Sequence, residues 1–159
     1  AIRRQRQMCI RDRSGVDYDK INGYLVDIFN NVVIIEEASL KNSKFNDISL
    51  KEMHTIDVIG THPDTTPSAV ARELMLTLGT VTTSLNKLEK KGYIIRTRSS
   101  VDRRVVHLSL SKKGRLVYRL HRAFHKSMVK TITEGFNDEE LKVMSKGLEN
   151  LHAFLEELK

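Results

Sequence analysis

Between Thr66 and Gly114 the apolar pattern of this chain changes character twice, and those changes restrict the possible folds more than any other feature. Thr66-Pro67 is a helix start, a hydroxyl residue to cap the end and a proline at the first helical position. Val70, Ala71 and Leu74 then share a face, which predicts a short helix with that face buried. Thr77 opens a second helix. Its Leu78, Ser84, Leu85 and Leu88 fall within about 60° of Val81 around the axis and form the expected buried side. Lys90-Lys91-Gly92 closes it, with Gly92 suited to the left-handed residue that ends a helix. Beyond Gly92 the period drops to two. Residues 93–98 and 104–110 read as strands about a Ser99-Ser-Val-Asp102 turn, with Val106, Leu108 and Leu110 alternating against Val105, His107 and Ser109.

The flanks are helical. Apolar residues at 21, 24, 25, 28, 29, 32, 33 and 35 make a broad stripe that runs to about Leu40. Ser49 and Glu52 form a capping box ahead of Leu50, Met53, Ile56, Val58 and Ile59, and Pro63 cannot continue that helix. A further helix begins near Ser111 and runs to about Gly135, carrying Val117, Leu120, Phe124, Met128 and Ile132. Asn137 and Glu140 cap the last, whose Leu141, Met144, Leu148, Leu151, Leu155 and Leu158 follow the 3-4-3-4-3 spacing of a coiled-coil-like seam. The fold class is mainly α with a small β-hairpin wing, about six helices in the order of a winged helix-turn-helix.

Charge is unevenly spread along the 159 residues, whose net value is +7. Residues 66–115 carry eleven basic and three acidic side chains, whereas residues 16–65 carry four and nine. Residues 1–15 hold five arginines without helical or strand patterning, and we read them as an extraneous or disordered leader rather than a DNA-gripping arm. The remainder, 16–159, is read as one domain: a core at about 49–111 and flanking helices at about 17–41 and 112–159. No apolar run reaches the ~18–20 residues that span a bilayer. The single cysteine, Cys9, offers no intramolecular disulfide, and a cytoplasmic setting is expected.

The predicted face opposite Val81 carries Gly79, Thr83, Asn86 and Lys90, with Thr80, Thr82 and Lys87 on its flanks and no acid among them. Hydroxyl, amide and amine groups of this kind bond base edges and phosphates in a major groove. Asn86 suits a two-bond pairing with adenine, and Lys87 and Lys90 suit guanine or phosphate. Beside it, Arg96, Arg98, Arg103 and Arg104 surround the hairpin turn with Asp102 as the only acid, which is expected to hold one arginine in place while the tip meets a minor groove or phosphates. With Thr66, Ser68 and Thr77 at the helix starts, these are the candidate DNA-binding residues.

At these positions the chain resembles the MarR family of winged helix-turn-helix regulators. The resemblance rests on Thr66-Pro-Ser-Ala-Val-Ala-Arg-Glu-Leu74, on Gly79 through Ile94, and on a wing signature at Asp102, Arg104, Leu108, Leu110, Ser111 and Gly114. It covers roughly 17–159. Residues 17–25, 29–32, 51–60 and 76–85 look like the FabT-type branch, repressors of fatty-acid synthesis genes. The resemblance implies a homodimer joined through the N- and C-terminal helices, a palindromic AT-rich operator, and a long-chain acyl group on acyl carrier protein as corepressor.

The residues themselves leave the ligand open. Ile28, Phe29, Val32, Met53 and Phe124 are candidates to line an acyl tunnel or are plain core. Arg119, Arg122 and Lys126 form a basic face suited to an acidic carrier protein. His121 and His125, four apart, have a zinc-compatible spacing, but no third ligand stands near them in sequence, so they are read as solvated or core histidines and no metal is expected. The alternatives are a MarR-type regulator that senses zinc or a small phenolic compound instead, and a non-regulatory winged helix that binds RNA or protein. The lack of aromatics on the polar helix face favours duplex DNA over RNA. No phosphate-cradling glycine loop or nucleophile–histidine–acid set is evident, so an enzyme is not expected.

Overall fold

A computed structural model describes residues 17–158. Residues 1–15, read above as a leader, lie outside that span. The chain divides into two units, residues 1–47 and 48–159. The first is dominated by α1 (Tyr18–Lys41), which Asp17 caps by accepting from the Lys20 amide at 3.0 Å. Ile28 and Phe29 stand about half exposed on it, and Val32 is half-buried.

The second unit follows the capping signals. Ser49 and Glu52 form the capping box of α2 (Leu50–Thr61), each bonding the other's backbone amide. Thr66 caps α3 (Pro67–Glu73), and Thr77 caps α4 (Leu78–Lys90). Gly92 takes φ +77°, where a side chain would be strained. Strands β1 (Ile94–Arg98) and β2 (Val106–Leu110) pair antiparallel, with Arg96 opposite Leu108 and Arg98 opposite Val106. Ser111 caps α5 (Lys112–Thr133), and Asn137 with Glu140 forms a second capping box on α6 (Asp138–Glu157).

The core lies where α2, α3, α4 and the hairpin meet. Ile56, Val70, Val81, Leu85, Leu88, Tyr93 and Leu108 are essentially sealed from solvent. At about 1.5–3 kcal/mol per large apolar side chain, this cluster is the main stabilising element of the unit. The Leu108 amide donates to the Thr65 carbonyl at 2.8 Å, so the turn before α3 bonds to the hairpin. α5 packs on α2, and its Gly114 lies so close to Tyr93 that an added Cβ would collide with the Tyr93 carbonyl oxygen.

Three positions depart from the helical-wheel reading, among them Ser84, which is half-buried on α4. Leu78, expected on the buried side of α4, is 51% exposed, because it is the first helical residue and protrudes at an end where Met75 and Leu76 are exposed as well. Leu74, expected to be buried, ends α3 as its C-cap and is half-buried. The leucine seam of α6 lies open in the single chain, with Leu148, Leu155 and Leu158 exposed and no residue of the helix buried. No helix among the described residues is long and apolar enough to cross a membrane.

Candidate nucleic-acid interface

The polar face predicted for α4 is the one solvent meets. Val81, Leu85 and Leu88 are buried, while Thr80, Thr82, Thr83, Asn86, Lys87 and Lys90 are all exposed. Several hydroxyls are already engaged. Thr77 Oγ1 accepts the Thr80 amide at 3.2 Å and shares a 2.8 Å bond with Thr80 Oγ1, and Thr83 Oγ1 donates to the Gly79 carbonyl at 3.1 Å. Thr66 likewise caps α3 by accepting the Ala69 amide at 3.3 Å, beside exposed Ser68. The longer side chains at Asn86, Lys87 and Lys90 are exposed beside threonines whose hydroxyls are in part already bonded within the helix. The N-terminal end of α4 adds the partial positive charge of a helix terminus.

The wing tip is organised by its own backbone. Ser99 Oγ accepts the amides of Val101 and Asp102, the Val105 amide donates to the Asp102 carbonyl, and the Ser99 amide donates to the Val105 carbonyl. Asp102 does not hold an arginine side chain, contrary to the expectation above. Its carboxylate accepts the Arg104 backbone amide at 2.9 Å instead. A short Asp side chain reaches an amide two residues on more readily than a guanidinium that must fold back over the turn. Arg98, Arg103 and Arg104 are thus left exposed on a pre-shaped loop.

Arg96 plays another part. Its Nε lies 3.5 Å from a Glu89 carboxylate oxygen on α4, in an ion pair without a hydrogen bond, and that nitrogen is buried. Arg96 therefore ties the wing to the helix it flanks. A second tie runs from Glu52, whose two oxygens each lie 3.0 Å from Lys91 Nζ at the C-cap of α4. Burial opposes the Glu52 charge, but the Ser49 amide and Lys91 prevail and hold its carboxyl below the usual range. Neither tie is legible in the sequence. The capping box marks Glu52, but nothing local marks Lys91 as its partner 39 residues on.

The residues proposed for a ligand belong to both units. Ile28, Phe29 and Val32 belong to the first unit, and Met53, buried, and Phe124, half-buried, belong to the second. Arg119, Arg122 and Lys126 are exposed on α5. Arg122 donates to the Tyr118 hydroxyl at 2.8 Å, and with Lys126 it borders an open cavity of about 340 Å³ lined also by Asp57, His125 and Val129.

This architecture recurs in known proteins. A crystal structure of Streptococcus pneumoniae FabT in complex with DNA superposes with a TM-score of 0.82 and is 66% identical, covering 90% of this chain and 100% of that one. The chain belongs to the MarR family. The family's own sequence pattern matches residues 48–106, from the start of α2 to the first residue of β2. The Bacillus subtilis regulator PchR is 31% identical over 111 residues, which are 68% of this chain and 66% of PchR. The S. aureus MepR–DNA complex, 22% identical with a TM-score of 0.67, shares the fold.

This MarR-family member is thus a transcriptional regulator of the FabT type and not an enzyme. The family pattern spans α3, α4, β1 and the turn of the wing, which carry the exposed basic and polar groups described above.

Proposed function

We propose that this MarR-type regulator binds duplex DNA as a homodimer and represses transcription in the cytoplasm. The observation that carries the reading is the acid-free exposed face of α4 beside a pre-shaped wing with three exposed arginines. Asn86, Lys87 and Lys90 enter a major groove, Thr80, Thr82 and Thr83 touch backbone or thymine methyls, and Arg98, Arg103 and Arg104 contact phosphates or a minor groove. Thr66, Ser68 and Thr77 contribute at the helix starts. Arg96 and Asp102 position the wing.

The open leucine seam of α6 is apolar surface for a second copy to cover, and so, separately, are the apolar groups left exposed on α1. A two-fold dimer sets its recognition helices about 34 Å apart, one turn of DNA, and therefore reads an inverted repeat. The 66% identity to a FabT found on DNA supports the DNA-binding part. From the resemblance to the FabT-type branch we further propose an AT-rich palindrome near fatty-acid synthesis genes, with long-chain acyl–acyl carrier protein as corepressor. In that scheme Arg119, Arg122 and Lys126 receive the acidic carrier, and Ile28, Phe29, Val32, Met53 and Phe124 receive the acyl chain. Binding to an AT-rich inverted repeat, with and without carrier protein bearing a long acyl chain, tests both parts. Affinity unchanged by the loaded carrier overturns the corepressor, and equal affinity for scrambled DNA overturns the operator.

A further inference from the structure

The turn from α3 into α4 is closed by two backbone bonds. The Leu76 amide donates to the Ala71 carbonyl at 2.9 Å, and the Met75 amide to the Arg72 carbonyl at 3.2 Å. This pair of bonds is the helix ending that ordinarily places glycine in the left-handed position. Here Met75 occupies it at φ +53°, a conformation that a side chain disfavours and that the surrounding bonds must hold. On the far side of the turn, Thr77 Oγ1 accepts the Thr80 amide at 3.2 Å. Leu78, the first residue of α4, is therefore fixed from both directions. Met75, Leu76 and Leu78 are nevertheless all exposed, large apolar groups within the most basic stretch of the chain.

We propose that Leu78 is a base-reading residue, packing on the C5-methyl group of one thymine in each half-site. The inference rests on the DNA-binding reading above and adds an apolar determinant to its polar ones. In helix-turn-helix docking the N-terminal residues of the recognition helix meet base edges in the major groove. The thymine methyl is the apolar group displayed there, and cytosine at the same place offers an amine instead. Leucine has neither donor nor acceptor, so it gains nothing from phosphate and discriminates only by such a contact. The neighbouring Gly79 has open space where a Cβ would stand, and Thr80 continues the exposed face of α4. The partial positive charge of the helix terminus draws the same end toward a polyanion. A protein partner seated on Met75, Leu76 and Leu78 is the competing occupant, and it would not distinguish thymine from uracil.

That distinction supplies the test, because uracil differs from thymine only in lacking the methyl group. An inverted repeat is selected with the full chain from randomised duplexes, and each thymine is then replaced by uracil, symmetrically in both half-sites. For the parent chain, replacement at the position read by Leu78 is expected to weaken binding about 4-fold per methyl, ~16-fold for the symmetric pair. Leu78→Ala should lose the uracil penalty at that one position and keep any penalty due to Thr80, Thr82 or Thr83. Met75→Ala, exposed in the same turn, should reproduce the parent pattern. A parent chain indifferent to uracil at every thymine overturns the proposal, whatever the folding of the variants. So do equal penalties in the parent and Leu78→Ala at every position. If no inverted repeat is selected, the operator reading falls and takes this one with it. A selected repeat with either of the contrary uracil results removes Leu78 alone.

Discussion

Both carboxylate oxygens of Glu52 lie 3.0 Å from Lys91 Nζ, while one of them also caps α2 by accepting the Ser49 amide at 2.8 Å. One side chain thus fixes the start of α2 and the end of α4. With Glu52 10% and Lys91 29% exposed, the pair is partly shielded from water. Glu52→Gln is expected to cost about 1–2 kcal/mol near neutral pH, the sum of a weakened cap and a lost charge-assisted bond. Because the folded-state pKa of Glu52 is depressed, its contribution is complete above the ordinary glutamate value of about 4.3 and is lost as pH falls through the lower folded value. Denaturant melts of both proteins across acid pH should converge there. A constant gap would show that the charge is not what stabilises.

Asn86→Ala should relax discrimination at one base pair by about 1–3 kcal/mol and leave binding to other operator positions little changed. Fluorescence anisotropy against single-base-pair operator variants measures this. A uniform loss across all variants would remove Asn86 from base reading.

Arg103→Gln and Arg104→Gln should weaken binding to every sequence alike and each lower the slope of log affinity against log salt by about 1. Arg96→Gln acts differently, since Arg96 pairs with Glu89 rather than projecting outward. It should loosen the wing, seen as faster amide exchange in β1 and β2, and change the salt slope less than either neighbour. A full unit lost from the slope would place Arg96 on phosphate.

Gly114→Ala puts a methyl group against the Tyr93 carbonyl, backbone that cannot turn aside. A loss of about 1–3 kcal/mol follows from overpacking alone. Gly79→Ala, where an added Cβ meets nothing, should be close to neutral or slightly stabilising in the same melts. Equal stability of the two variants would contradict the packing described at the start of α5.

Much of this arrangement is legible in the sequence because its determinants are local. Ser49–Glu52, Thr66–Pro67, Thr77 and Asn137–Glu140 mark helix starts within four residues, and each stands at the start of a helix in the fold. Gly92 announces the change from helix to strand for the same reason. Contacts between segments are not legible. Glu52 and Lys91 are 39 residues apart, and Asp57 and His121 are 64 apart, so no spacing rule links them. The sequence marks Asp102 as the organiser of the turn but points to the wrong partner, since net charge favours a guanidinium while short reach favours an amide. Leu78 shows a limit of the wheel, which gives the angle of a side chain but not whether anything covers the helix end.

The central claim is that the face of α4 and its wing read an inverted repeat as a pair. Its most direct test is equilibrium binding to an AT-rich inverted repeat and to a scrambled duplex of equal composition across a salt series. We expect the repeat to be preferred by at least ~10³-fold at physiological salt, with affinity for both falling linearly in log salt. Equal affinity for the two duplexes, or binding of either that is indifferent to salt, would contradict it.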